Sequence, residues 1–463
     1  MTLVDQQTLF FFLLSITLIR AVIANVSMVL VLSWLKKSLL LVGRNTEKHF
    51  VIVIPVLREQ KVIRETIHHF LNADYPKDKL TLLIVTTERE FAESQQTEAV
   101  GETTMSVVER LKKEVNEMYG QELVRSIHYP DVQGKMVDQL NYAFDHILGL
   151  FLSDRKNLFV AVYNADSKPN QETFASVSKL SSQNGGRVFQ QSAIFFDNWH
   201  QIEKSRGFFE AKYLQTNAIL QSRWTLAHEM PRFFRQSYFL KRWGKRIFLS
   251  HCVGHGLFLR GDLIEEVRKM PTGTLTEDLF FGYVLSLLGE PIQPIPVMEM
   301  AETPSTFSEA LKQKYVWFFG PLDHFYYDRY FSLHYPDEAS GFLRKWFAIQ
   351  GIAPALIWML QGWVFLFLFL YPTISGQYHF LWFSLVVFLF HSPFSYGIIL
   401  ANYSFLARAC SKQDKIGWAE QFWCLLFTFS TAVIHSMPPL VSVYAKTKQY
   451  LTGREPHKPK TER

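Results

Sequence analysis

Charge and cysteine are both scarce in this sequence. Of 463 residues only 19% are charged and three are cysteine. Cys252, Cys410 and Cys424 lie far apart, so they form neither a disulfide framework nor the paired spacing of a zinc site. That usage fits a catalytic domain in a reducing compartment. The formal charge of +6 is too mild for a nucleic-acid binder, and no basic block alternates with aromatics as single-strand recognition requires. What abounds is apolar: 48% of residues are hydrophobic and 41 are Phe. They concentrate at the two ends and leave ordinary globular composition from about residue 45 to about residue 345.

Residues 8–35 are almost continuously apolar, with Arg20 the only charge, and exceed the roughly 20 residues a span needs. The length, and the lack of a small-residue cleavage site before Lys36, set a signal peptide aside. Arg20 is costly in mid-membrane and is expected to face other helices or to snorkel. Three more apolar stretches follow, 351–373, 379–406 and 419–445. The loop from Tyr371 to His379 has no Lys or Arg, whereas the next carries Arg408, Lys412 and Lys415. The positive-inside rule therefore places that second loop in the cytosol, with Lys36, Lys37, Arg44 and a central domain whose exit carries Arg344 and Lys345. Four simple spans would leave the basic tail outside (Lys446, Lys448, Arg454, Lys458, Lys460 and Arg463). His435 and Pro438-Pro439 leave 419–445 open as a span or a re-entrant segment. The expected division is a transmembrane segment (1–44), a cytosolic catalytic domain (45–345), C-terminal membrane helices (346–445) and a basic tail (446–463). The expected site is the plasma membrane.

The central region reads as α/β. Phe50 to Val56 is a β-branched run of the kind that forms a buried parallel strand. A helical pattern runs from Glu59 to Leu71, and Leu80 to Val85 is a second strand. Lys112 to Tyr119 ends a polar helix, Met136 to Leu150 is another, and Leu158 to Tyr163 is a further strand. Strands alternating with helices imply a mostly parallel sheet, with ligands beyond the carboxyl ends of its strands.

The acidic turns lie there. Asp166, after Tyr163, suits a hard cation such as magnesium or manganese, or an Asx-type turn before Pro169. Glu277 and Asp278 open an apolar helical run, where they serve either the positive helix end behind an N-cap Thr276 or base catalysis. Gly254-His255-Gly256, between two β-like runs, allows close approach of a substrate or forms a hairpin. His251 and His255 read as pocket residues rather than zinc ligands. Lys135, after Gly134, contacts a phosphate or is solvated.

In order, these pieces resemble the family 2 glycosyltransferases of GT-A fold, above all the membrane-integrated members, over about residues 48–330. Ile54-Pro55-Val56-Leu57-Arg58-Glu59 is similar to the opening strand and Pro-x-x-x-Glu turn, and Asp74-Tyr75-Pro76 to the segment before the second strand. Gly134-Lys135 with Leu140-Asn141 resembles the Gly-Lys…Leu-Asn helix. Ala165-Asp166-Ser167 falls at the metal-binding Asp-x-Asp, and Gly254-x-Gly256 with Arg260 at the acceptor-side Gly-x-Gly…Arg. Thr276-Glu277-Asp278 matches the Thr-Glu-Asp motif. Glu302-x-Pro304 and Gln313-Lys314-Tyr315-Val316-Trp317 resemble the closing Gln-x-x-Arg-Trp interface helix, near 306–330.

The resemblance implies a GT-A-like sheet domain flanked by transmembrane helices, and inverting transfer from a nucleotide sugar. Asp278, with Glu277, would deprotonate the acceptor. Asp166 would hold a divalent cation, Mg or Mn. Pro55, Glu59, Glu88, Lys135 and Asn164 would lie near the donor. Gly254, His255, Gly256, Gln313 and Trp317 would line the acceptor end. Three departures stand out: Glu88 replaces the usual Asp, Asn164 replaces the first Asp of Asp-x-Asp, and Val316 replaces the Arg of the last motif. Losing that fixed cation argues against a cellulose- or hyaluronan-type processive synthase. The acceptor is expected to be a polysaccharide or other glycan, or alternatively a polyprenyl phosphate or other lipid, with membrane lipids around it and no nucleic acid. A transporter is disfavoured by the few ionisable residues in the spans. A degenerate scaffold is disfavoured by the joint presence of Asp166, Asp278, Gln313 and Trp317.

Overall fold

The β-branched run becomes the centre of a sheet. In the computed structural model, which describes residues 3–40, 45–96, 102–151, 154–267 and 269–452, strand β1 (His49–Pro55) is buried from Phe50 onward. Arg44, Arg454, Lys458, Lys460 and Arg463 lie outside the described residues. The other strands are β2 (Leu80–Thr87), β3 (Val124–Tyr129), β4 (Leu158–Val162), β5 (Val188–Gln190), β6 (Ala193–Ile194), β7 (Leu257–Arg260), β8 (Ile292–Pro294) and β9 (Glu299–Met300). Seven of them run in the order β3-β2-β1-β4-β7-β5-β8, with β6 and β9 paired separately. Among the described strands only β7 runs against its neighbours, β4 and β5. The sheet is therefore mostly parallel, as the alternation of strands and helices requires.

Period-two alternation splits β1 between two cores. Phe50, Ile52 and Ile54 pack with Ile67, Phe70, Val108 and Leu111 from the helices Ile63–Leu71 and Thr104–Tyr119. Val51 and Val53 pack with Val137, Leu140 and Phe144 of the helix Met136–Leu150. Three local expectations need correction. The helix expected from Glu59 starts at Ile63, because the Arg58 and Glu59 amides donate to Glu90 and Thr104 instead. The run before Gly254 is not a strand; its amides at Ser250 and Val253 donate to the side chains of Ser286 and Gln190. The helix near 306–330 is two, Phe307–Leu322 and His324–His334, separated at Asp323.

Among the described residues three helices are long and apolar enough to cross a membrane: Asp5–Leu39, Gly341–Ile374 and the stretch His379–Ala401. Trp418–Leu426 and Thr428–Thr452 pass the same test only together, bent by 50° at their junction. A further long helix, unforeseen in the sequence, lies against them. It runs as Phe208–Trp224, a π-helical turn Thr225–Glu229, and Met230–Trp243. Leu226, Ala227 and Met230 at the π turn pack on Ala24, Met28 and Val31 of the first membrane helix.

Lys314, on Phe307–Leu322, has no exposed surface. Among the described residues its ammonium donates only to the Ala310 carbonyl, at 3.5 Å, and burial pulls its pKa from 10.5 to about 7. The unfolded chain therefore holds more protons than the folded one between those values. Stability should rise with pH across that window, and at neutral pH the buried group costs roughly 4–5 kcal/mol. Lys314→Met is expected to raise the thermal unfolding midpoint near pH 7, the gain shrinking towards pH 10. A gain that does not change with pH would contradict this origin.

Candidate functional site

The carboxyl ends of β1, β2 and β4 converge on one edge of the sheet. Pro55 closes β1 opposite Val85. The chain then turns through Arg58, whose φ of 57° is left-handed. The buried Glu90 carboxylate holds this turn by accepting the Arg58 and Thr104 amides, both at 2.7 Å. Glu59 is half-buried beside it, its amide donating to Thr104 Oγ1 at 2.8 Å. Glu88 opens the next helix and pairs with His128 Nε2 at 2.9 Å, while Thr86 Oγ1 holds Nδ1 at 3.0 Å. Lys135 is exposed at the start of Met136–Leu150, where its amide donates to Asp138 Oδ2 at 2.8 Å.

After β4 the chain turns through Asn164, Ala165 and Asp166. Ser167 closes this turn, its amide donating to the Asn164 carbonyl at 3.1 Å and its hydroxyl accepting the Asn164 amide at 3.3 Å. Asp166 is left half-buried in the turn. Glu299 of β9 then ties two predicted pieces together. One of its oxygens accepts the Lys168 amide and the other holds His255 Nδ1, each at 2.9 Å. Burial works against protonation of His255, but Glu299, with Glu229 and Asp166 behind it, outweighs burial and holds its pKa above the ordinary value. Gly256 has φ +65° and a Cβ there would lie 2.8 Å from Gln191 Cβ. Only glycine fits this turn, whose amide donates to the Val162 carbonyl at 2.9 Å.

Asp278, second residue of the helix Glu277–Leu288, faces the same turn: a Cβ on Gly254 would sit 3.3 Å from its Oδ2. Thr276 occupies the N-cap position but makes no side-chain cap bond; its hydroxyl is 3.3 Å from the Tyr327 hydroxyl. Glu277 is buried behind it. Burial pushes the nearby Glu229 carboxyl upward against the pull of Ser192, His255 and Arg232, and the charge of Asp278 adds to the rise.

The structure brings Asp166, Gly254, His255, Gly256 and Asp278 to one place, and sets Glu88 and Lys135 apart on the β2–β3 side. Gln313 accepts from Gln221 Nε2 at 2.8 Å, and Trp317 is 41% exposed. Sequence reasoning missed Glu299, Glu229 and Arg232, the last donating to His251 Nδ1 at 2.9 Å. Among the described residues no group of three or more His, Cys, Asp or Glu is placed to hold a metal ion. Asp166 fits a shared site, in which a single carboxylate and phosphate oxygens surround magnesium or manganese.

One contact makes this assembly sensitive to a single methyl group. Gly282, one turn beyond Asp278, lies against the backbone: a Cβ there would be 2.3 Å from Cys252 N and 2.4 Å from His251 Cα. Gly282→Ala is expected to cost about 1–3 kcal/mol or more. Because Asp278 must move with its helix, turnover should fall alongside the unfolding midpoint; full activity in the variant would show the packing to be slack.

Among solved structures the chain is similar to the mannosyltransferase PcManGT from Pyrobaculum calidifontis in complex with GDP-Man and Mn2+. The identity is 15% and the TM-score 0.44, covering 96% of this chain and 100% of that one. It is also similar to S. aureus TarS, with 14% identity, TM-score 0.34, and 62% and 44% covered. S. aureus TarS 1–349 in complex with UDP-GlcNAc gives 12%, 0.34, and 88% and 92%. No curated protein sequence matches the chain. Residues 199–433, which hold Gly254, Asp278, Gln313 and Trp317, match Glycosyl transferase family group 2 over just more than half of the sequence, and the chain belongs to that family of glycosyltransferases.

Proposed function

We propose that this glycosyltransferase moves a sugar from a nucleotide-sugar donor to an acceptor hydroxyl at the membrane, with inversion at the anomeric carbon. The observation that carries the reading is the meeting of the Asp166 turn and the Asp278 carboxylate across Gly254-His255-Gly256. The acceptor oxygen forms a bond to the anomeric carbon and its proton passes to Asp278. The bond to the nucleotide's terminal phosphate breaks, and the electron pair leaves with the diphosphate. A divalent cation held by Asp166 would supply charge neutralisation of that leaving group. Pro55 and Glu59 border the donor side with Asn164, and Glu88 and Lys135 its outer rim. Gln313 and Trp317 border the acceptor side, nearer the membrane helices. The basic residues Lys36, Lys37, Arg344 and Lys345 favour a cytosolic catalytic region.

The test is nucleotide release by the purified protein in lipid nanodiscs across a panel of nucleotide sugars, with manganese or magnesium. Turnover with one donor that stops on chelation is expected. Failure to bind any donor would overturn the reading.

A further inference from the structure

Cations crowd the long helix where it meets the membrane bundle. Arg223 is 7% exposed and donates to Ser395 Oγ at 2.7 Å. Ser395 in turn donates to Asn25 at 2.6 Å. Arg20, in the first membrane helix, donates to Gln361 Oε1 at 2.5 Å. Arg232 lies 5.3 Å from the Trp224 ring centre and binds His251. The His228 ring lies tilted beside Trp224, their centres 4.9 Å apart. Among the described residues none of these arginines forms an ion pair. The neighbouring acid, Glu229, is engaged by Ser192 at 2.8 Å. Burial, and then the charge of Arg235, pull Arg232 down to about 10 against the opposing charge of Glu229; burial first, and then Arg223, Arg232 and Arg20, hold His228 below its ordinary value. Buried charge without an ion-pair partner is costly. Arg223 is buried, but the groups around it are not sealed: Trp224 is exposed, while Arg20, His228, Arg232 and His251 keep part of their surface open.

The cluster leads to the reaction centre, since His251 and Cys252 abut the helix of Asp278. It also lies towards the headgroups of the catalytic side. The Gln7–Gln377 bond marks the far end of the first membrane helix. Arg20 is thirteen residues on, about 20 Å along the helix, against a hydrocarbon core of ~30 Å. That places it towards the catalytic side, within reach of the interface for an arginine.

We infer that the acceptor is a lipid-linked sugar whose phosphate or diphosphate group sits on Arg20, Arg223 and Arg232 while its hydroxyl faces Asp278. This rests on the transfer reading above. Planar guanidinium groups match phosphate oxygens, and a neutral glycan would leave the charges unanswered.

The test uses the full chain in phosphatidylcholine nanodiscs with saturating nucleoside diphosphate, so that the donor pocket is filled. Farnesyl diphosphate, farnesol and inorganic diphosphate are the probes. Farnesyl diphosphate is expected to bind at least tenfold more tightly than the other two. Arg20→Gln and Arg232→Gln should each weaken it about tenfold or more, and Arg232→Lys should recover part of the loss. Because repulsion is relieved, the unfolding midpoint of Arg20→Gln should equal or exceed that of the parent. Met variants replace either Gln variant that cannot be purified. Equal binding of inorganic diphosphate would mark a free-phosphate site and overturn the lipid-linked acceptor. Equal binding of farnesol, or unchanged affinity in the variants, would overturn the cluster's role. Donor binding is measured on the same samples: its loss with farnesyl diphosphate binding intact would sink the transfer reading and leave the anion site standing.

Discussion

Asp278→Asn is expected to lower turnover by about 10²–10⁴-fold while leaving donor affinity unchanged. The amide keeps the shape and the hydrogen bond to the Leu279 amide, which Oδ1 accepts at 2.8 Å. It cannot take a proton. The loss should therefore fall on kcat rather than KM, and single-turnover measurement with bound donor would separate the two. The result also reports on the attacking atom. A sugar hydroxyl must lose a proton as it attacks, whereas a phosphate oxygen is already ionised at neutral pH. A loss of less than tenfold would therefore point to a phosphate oxygen as nucleophile and remove Asp278 from the base role.

Asp166→Ala is expected to weaken donor binding by roughly 10²-fold and to abolish the response to manganese or magnesium. With no cluster of three metal-ligating side chains among the described residues, a bound ion would depend on this carboxylate and on the donor's own oxygens. Asp166→Asn is the sharper probe, because the turn is closed by Ser167 and should survive the change. If the Asn variant binds donor normally and still responds to the metal, Asp166 does not hold it. Calorimetric titration of donor with and without the ion decides the matter.

The parallel centre of the sheet could be read from sequence because β1, β2 and β4 are short apolar runs flanked by turn residues; the half-buried β3 and the three-residue β5 and β8 could not. The three pieces that meet at the site could be read as motifs, since Asp166, Gly254–Gly256 and Asp278 each sit at a turn or helix start. What joins them could not. Glu299 lies in a two-residue strand with no periodicity, and its partners are 131 and 44 residues away. The helix Phe208–Trp243 was invisible for another reason. Its first half is buried almost all round, with Lys212, Gln215 and Asn217 inside, so no apolar stripe marks it. Arg223 and Arg232 look like ordinary surface charges until the membrane helices are packed beside them.

The π turn at Thr225–Glu229 has a geometric consequence of its own. An α-helix advances 100° per residue, and a π turn inserts one residue without ending the rod. The extra residue offsets everything after it in phase, so Arg223 points into the membrane bundle while Arg232, nine positions later, points at His251. The helix is thus a crankshaft with two throws, whose relative angle is fixed by one residue. Shortening it by a single position between Trp224 and Met230 would leave both halves helical and the sequence almost intact. It would nonetheless swing the second throw by about 100° and disconnect the membrane side from the reaction centre.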